Sequence, residues 1–344
     1  MKLNYLIIAI AAASCAATQA ADSINLGNYT VTNIFALDPL NGASGGISGL
    51  EASGVTYARD RGTLFFVGDE GTGVIEISKT GQTISNNLFD WTGSGSTKHD
   101  TEGLTYMGNG VLVVGEERLQ DAYRFNYTAG GTVTLANSFV SISNVAVGNN
   151  GMEGISYDPR GAGSFVTIKQ QSPEDILAGT LTFAAPTGPP PPPSGDGASP
   201  PGGGASTMTQ LFDPALMGLD SLSDLQTLSP VDALAGTPAA DNLLVLSLAS
   251  RRLIEVTRTG VVLSSFDLTN VLAHNAIEGV TVDENGTIYL VAEQVQDGTP
   301  SDGRSQLIVL SNVPEPGTWA MTLAGLGLMG AAAYRRKKYA KSVS

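Results

Sequence analysis

The stretch Glu102-Gly103-Leu104-Thr105-Tyr106, then the turn Asn109-Gly110, then Val111-Leu112-Val113-Val114-Gly115-Glu116-Glu117, decides the fold. A short alternating run, a turn that favours positive φ and a fully apolar run describe a hairpin whose second strand is buried on both sides. The same phrase recurs along the chain. Ser53-Gly54-Val55-Thr56-Tyr57 leads through Arg61-Gly62 to Leu64–Val67, and Glu153-Gly154-Ile155-Ser156-Tyr157 leads through Arg160-Gly161 to Phe165–Ile168. Glu278-Gly279-Val280-Thr281-Val282 leads through Asn285-Gly286 to Ile288–Val291. A weaker copy, Ser223-Asp224-Leu225-Gln226-Thr227, reaches Leu243–Leu246 after a longer loop.

The second positions of the five copies fall at 54, 103, 154, 224 and 279, so the intervals are 49, 51, 70 and 55. The long interval holds residues 186–204, nineteen residues dominated by Pro, Gly and Ser that cannot supply a core. Without them it too becomes 51. An all-β unit of about fifty residues repeated five times is the pattern of a β-propeller. Five blades are favoured, with six open, because strands near Ile24–Val31 and Thr32–Leu37 either complete the last blade or add one. The Pro/Gly tract reads as a surface excursion within one blade.

The two ends read as export signals. Lys2, the apolar run Leu6–Ala13 and Thr18-Gln19-Ala20 form a signal peptide over residues 1–20, with cleavage expected after Ala20. The sole cysteine, Cys15, lies inside it, so the mature domain has no thiol chemistry. At the other end, Val313-Pro314-Glu315-Pro316 precedes seventeen uncharged residues from Thr318 to Tyr334, then Arg335-Arg336-Lys337-Lys338. Seventeen helical residues reach about 25 Å, at the short limit of a membrane span. The basic cluster would stay cytoplasmic and leave the rest of the chain outside. This tail, residues 313–341, resembles the PEP-CTERM sorting domain of Gram-negative bacteria. The resemblance implies recognition by an exosortase after signal peptidase has acted, with the protein anchored in the inner membrane and then sorted to the cell surface or extracellular matrix.

Between the ends, residues 22–312 carry twelve Lys and Arg against thirty-one Asp and Glu, a formal charge of −19. That surface repels nucleic acid and attracts divalent cations. If the Glu-Gly units open the inner strands, Glu102, Glu153 and Glu278 come from different blades and face one axis, with Asp100 two residues before Glu102. Asp69, Glu70, Glu116, Glu117 and Glu293 follow their units by about fifteen residues and are expected at the far end of the neighbouring strand or near a channel mouth. Converging carboxylates either rise in pKa or take up a cation, and an all-oxygen set suits Ca²⁺. The candidate metal ligands are therefore Asp100, Glu102, Glu153 and Glu278. The plain alternative is that these glutamates cap inner-strand N–H groups and tie blades together. No organic or nucleotide cofactor is expected, and no Gly-x-Ser-x-Gly elbow, P-loop, HExxH or EF-hand loop is present. Only two histidines, His99 and His274, could act as acid/base partners.

The strings Glu102–Tyr106, Val113-Val114-Gly115-Glu116-Glu117-Arg118, Tyr123-Arg124-Phe125 and Gly151–Asp158 resemble the SdiA-regulated, or YjiK-like, propellers over roughly residues 45–310. That family is related to phytase-like propellers, and some relatives are linked to calcium responses. The resemblance implies an exported propeller that binds a ligand, matrix polymer such as exopolysaccharide, or envelope partner, with Ca²⁺ involved. The alternative is a phytase-like phosphomonoesterase or esterase working in the acidic channel. Here Ser53 and Ser223 stand where the other repeats have Glu.

Overall fold

In a computed structural model, the protein is a five-bladed β-propeller, described over residues 22–40, 46–143, 146–295 and 304–312. The signal peptide, Ala20, the Val313–Pro316 motif, the apolar run after it and the Arg335–Lys338 cluster lie outside the described residues. No helix among the described residues is long and apolar enough to cross a membrane.

The chain enters as β1 (Tyr29–Ala36) and then builds the blades in order. Blade 1 is β2 (Ala52–Ala58), β3 (Thr63–Gly68), β4 (Gly73–Ile77) and β5 (Thr83–Asp90). Blade 2 begins with β6 (Thr101–Gly108), β7 (Val111–Glu116) and β8 (Asp121–Asn126). Next β9 (Gly131–Thr134) crosses back to run parallel to β5, and β10 (Phe139–Ser141) returns to finish blade 2. Blade 3 is β11 (Met152–Asp158), β12 (Ser164–Lys169), β13 (Asp175–Gly179) and β14 (Thr209–Gln210), and the Pro/Gly tract lies between its last two strands. Blade 4 is β15 (Leu222–Thr227), β16 (Leu243–Ser247), β17 (Arg252–Val256) and β18 (Val262–Asp267). Blade 5 is β19 (Ile277–Val282), β20 (Ile288–Ala292) and β21 (Gln306–Asn312), and β1 completes it by antiparallel pairing, Tyr29 opposite Asn312. The N-terminal strand therefore closes the ring and adds no sixth blade.

The five repeated phrases are the five inner strands, each contacting its two neighbours around the axis. The apolar runs are the second strands, whose successive side chains serve opposite faces of a blade. Phe65 packs with Leu104, Leu112 and Tyr123 toward blade 2, while Phe66 packs with Tyr289, Val291 and Leu307 toward blade 5. Both are buried, which is why these strands read as unbroken hydrophobic segments. Each such ring withdrawn from water contributes roughly 1.5–3 kcal/mol.

The Ser/Glu-Gly pair at the head of each repeat is a β-bulge. Register shifts fall at Ala52/Gly54, Thr101/Leu104, Met152/Gly154, Leu222/Asp224 and Ile277/Gly279. The extra residue at each site is Ser53, Glu102 (with Gly103), Glu153, Ser223 or Glu278, and a bulge re-aims the side chain it inserts. The glycine that follows meets the next blade's backbone. A Cβ on Gly54 would lie 2.2 Å from the Glu102 carbonyl oxygen, and one on Gly279 would lie 2.4 Å from that of Ser53. In blade 4 Asp224 fills the glycine slot, and its carboxylate accepts the N–H groups of Leu225 and, across the blade boundary, Val280, both at 2.7 Å.

Two residues further on, a second ring of contacts closes. The hydroxyls of Thr281, Thr56, Thr105 and Ser156 accept the backbone N–H of Tyr57, Tyr106, Tyr157 and Thr227 of the following blade, at 2.9–3.1 Å. Gln226 completes the circle by accepting the Thr281 hydroxyl at 3.0 Å. Gly54→Ala and Gly279→Ala should each destabilise the domain by roughly 1–3 kcal/mol or more through overpacking against backbone. Gly27→Ala, whose Cβ would meet only the Asn25 side-chain oxygen at 3.2 Å, should be far milder. Urea unfolding of the three variants checks this ordering.

Candidate functional site

Antiparallel pairing places the end of each second strand beside the start of its inner strand, so bulge residues and strand-end acids share one mouth of the channel. Gly68 pairs with Ala52 and Ala292 with Ile277. The next residues, Asp69 and Glu293, therefore stand level with the bulges of blades 1 and 5, and Glu117 does so in blade 2. Their backbone N–H groups are held alike, on the carbonyls of Glu51, Ala276 and Asp100 at 3.2, 2.9 and 2.8 Å. These acids thus sit at the same end as the Glu-Gly openings.

One side-chain oxygen from each of Asp69, Asp100 and Glu102 lies within 4.8 Å of the others, and the same holds for Glu51, Asp69 and Glu70. Glu102, Glu153, Glu278, Glu117 and Glu293 are close enough to perturb one another's ionisation. Two of the expected ligands, Asp100 and Glu102, thus share a potential ligand group with Asp69, while Glu153 and Glu278 extend the same cluster. Glu116 is the exception among the strand-end acids. It is fully buried on the opposite side of β7 and accepts the Ser96 hydroxyl and the Leu119 N–H, both at 2.7 Å. It anchors a loop and does not line the mouth.

Two residues of the cluster are not in the expected set. Glu51 precedes Ser53 as Asp100 precedes Glu102, so the repeat itself points to it. Arg118 donates from Nε to Asp100 Oδ2 at 2.5 Å and lies 3.5 Å from Asp196 of the Pro/Gly tract. The tract has folded back over blade 2, where Thr97 N–H donates to the Asp196 carbonyl at 3.1 Å and Ala198 N–H to that of Gly95 at 3.2 Å. No local pattern announces a contact between segments that far apart.

The electrostatics follow from crowding. Burial first, then Glu51, pushes Asp69 up to about 9, and burial with Glu278 does the same for Glu293. Burial raises Glu117 and Glu278 to about 7, with Asp100 adding to the first and Asp69 to the second. Glu102 and Glu153 are raised well above the ordinary carboxylate range, again by burial first and by neighbouring acids second. Asp69 Oδ1, Glu70 Oε2 and Glu117 Oε2 are buried with no hydrogen-bond partner. Glu117 is 1% exposed.

The two histidines sit in different settings. His99 lies flat on Trp91, with ring centroids 4.8 Å apart, and burial lowers its pKa. His274 is exposed on the loop before β19.

Comparison with known proteins identifies a family. The SdiA-regulated family model matches residues 39–295. The chain belongs to the SdiA-regulated family. The PEP-CTERM protein-sorting motif matches residues 312–337 of this SdiA-regulated protein, implying an exported chain, anchored in a membrane and then sorted by an exosortase. Among solved structures, the PQQ-bound aldose sugar dehydrogenase from Streptomyces coelicolor is 12% identical, with TM-score 0.47, covering 82% of this chain and 97% of that one. The Myxococcus xanthus glutaminyl cyclase is also 12% identical, with TM-score 0.46 and coverage of 82% and 95%.

The raised carboxyl pKa values of this SdiA-regulated domain set a pH dependence. A group whose folded pKa exceeds its unfolded one stabilises fully below the unfolded pKa and loses that contribution as pH rises through the folded pKa. With unfolded values near 4 and folded values of about 7 to 9, thermal melts in EDTA should show Tm falling from pH 5 to pH 9. Asp69→Asn and Glu293→Gln should flatten that slope.

Proposed function

We propose that this protein is a non-catalytic binding module of a Gram-negative cell envelope, displayed at the surface or in the extracellular matrix after sorting, and that the acidic mouth of its channel holds a Ca²⁺ ion. The observation that carries the reading is the convergence of carboxylates from different blades: oxygens of Asp69, Asp100 and Glu102 lie within 4.8 Å of one another, and Glu117, 1% exposed, is buried beside Glu153 and Asp100. Like charges about 4 Å apart repel by roughly 4 kcal/mol at an effective dielectric constant of 20, and a divalent cation turns that cost into attraction. The donors are all oxygens and come from several blades, as suits a Ca²⁺ ion. Asp100, Glu102 and Asp69 would form the core of the site, with Glu153, Glu117 and Glu278 around it.

A phosphate-cleaving alternative would need cations to hold the substrate. Arg118, the basic group beside the described acids, is already engaged by Asp100 and Asp196, which favours binding over phosphoryl chemistry.

Titration of the purified exported protein tests the reading. Ca²⁺ at one hundred times its Kd should stabilise by about 2.7 kcal/mol, an upward shift of roughly 5 °C for a domain of this size. The shift should grow from pH 6 to pH 8 and should shrink at least tenfold in apparent affinity in Glu102→Gln and Asp69→Asn. Absence of any shift would remove the cation. Turnover of phosphate or carboxyl esters that disappears in Glu102→Gln and Glu153→Gln would replace the binding module with a hydrolase.

A further inference from the structure

The inner strands run from the acidic mouth to a second, chemically different mouth. From Glu102 to Tyr106 is four residues, about 13 Å of extended chain, and the glycine and hydroxyl rings lie between. At the far end, the strand ends and following turns of all five blades enclose a cavity of about 550 Å³, within the range of small-molecule sites. Its floor is the hydroxyl ring itself, Thr56, Thr105, Thr281 and Gln226. Its walls are apolar or aromatic, from Tyr106, Met107, Tyr157, Pro159, Pro230 and Val282. Planar polar groups stand at the rim, Asp60 and Asn109 on one side and Glu284 on the other.

The charges at this mouth restrict what can enter. Its basic residue, Arg59, is held by both Asp232 oxygens at 2.7 and 2.8 Å, so phosphates and carboxylates find no free cation among the described lining residues. The ring face of Tyr57 already carries the Lys79 ammonium, 4.5 Å from its centroid, and Tyr106 is stacked on Phe65, so an aromatic cage for a cationic ligand is not open. What remains are hydrogen-bond acceptors above apolar walls. Asp60, exposed at the rim, accepts the Asn109 N–H at 3.0 Å and neighbours the Tyr106 hydroxyl. Glu284 takes the Asn285 side-chain amide at 3.3 Å and neighbours the Tyr57 hydroxyl, each carboxylate keeping further lone pairs for a ligand.

We infer that this second mouth is a binding site for a neutral saccharide, the end or a short internal segment of an uncharged polysaccharide. Pyranose rings present apolar C–H faces to walls of Met, Pro and Tyr edges, and their hydroxyls donate to Asp60 and Glu284 and bond to the Asn109 amide. A cavity of this volume takes two to three sugar units. The site rests on the reading of the protein as a binding module but not on the cation at the opposite mouth, so its test is run without one.

The exported protein, purified and kept in EDTA, is titrated by calorimetry with cellotriose, chitotriose and a trimer of a uronic acid. Saturable binding of a neutral trisaccharide, with the uronate at least tenfold weaker, is the expected result. Glu284→Gln should weaken it five- to tenfold. Asn109→Gly, which suits the left-handed backbone at that residue (φ 54°), should do likewise, with Tm unchanged in both variants. No saturable binding of either neutral trisaccharide, equal affinity in the two variants, or preference for the uronate would each overturn the assignment. Because Ca²⁺ is absent throughout, failure here leaves the cation titration standing, and failure of that titration leaves this one standing.

Discussion

Neighbouring blades meet at the axis, glycine against carbonyl, and this contact governs everything else in the molecule. A propeller ring closes only if five inner strands approach one another closely with their edge groups satisfied. Here the approach is made possible by the missing Cβ of Gly54, Gly103, Gly154 and Gly279. The polar account is settled by hydroxyls that accept the next blade's N–H. The bulge that positions each glycine also swings its neighbour toward the mouth. The acids of blades 2, 3 and 5 are therefore placed by the same backbone device that holds the ring together. Asp224 shows the device under substitution: where the glycine is lost, a carboxylate takes over the bonding across the boundary to Val280.

Much of this is legible in the chain because the repeat is geometric. Even spacing identified the blades, and the phrase Glu-Gly-x-Thr-Tyr marks a bulge, a close approach and an interblade acceptor in sequence. Unreadable are features that depend on distant partners. Whether Tyr29–Ala36 closes blade 5 or founds a sixth is decided by its pairing with Gln306–Asn312, far away along the chain. Gly131–Thr134 leaving blade 2 to flank blade 1 carries no local mark. Glu116 and Glu117 are equivalent as letters, yet strand alternation sends one into the interior and the other to the mouth. Glu51 was available from the repeat, two residues before its bulge. Arg118 meeting Asp196 was not, since a Pro/Gly tract gives no sign of where it will land.

The channel is consequently polar in two senses. One mouth gathers acids whose ionisation is suppressed by their own crowding, and the other is apolar with scattered acceptors. Both are built from the same five strands, and the glycine and hydroxyl rings form a partition between them. Chemistry at one mouth is thereby insulated from the other, although a change in blade spacing would be felt at both.

The closing strand pair has a topological meaning for an exported chain. The first strand must wait for the last, across a loop of about 280 residues whose closure costs roughly 5 kcal/mol of chain entropy. The ring cannot be sealed until Gln306–Asn312 has emerged on the far side of the membrane. The matched sorting motif starts at the strand's last residue, Asn312, and its Pro314-Glu315-Pro316 box follows directly, so a cut within or beyond that box would leave the last strand whole. Sorting and integrity of the ring are thus kept apart along the chain: a cut in the tail would spare the strand pair that seals the propeller.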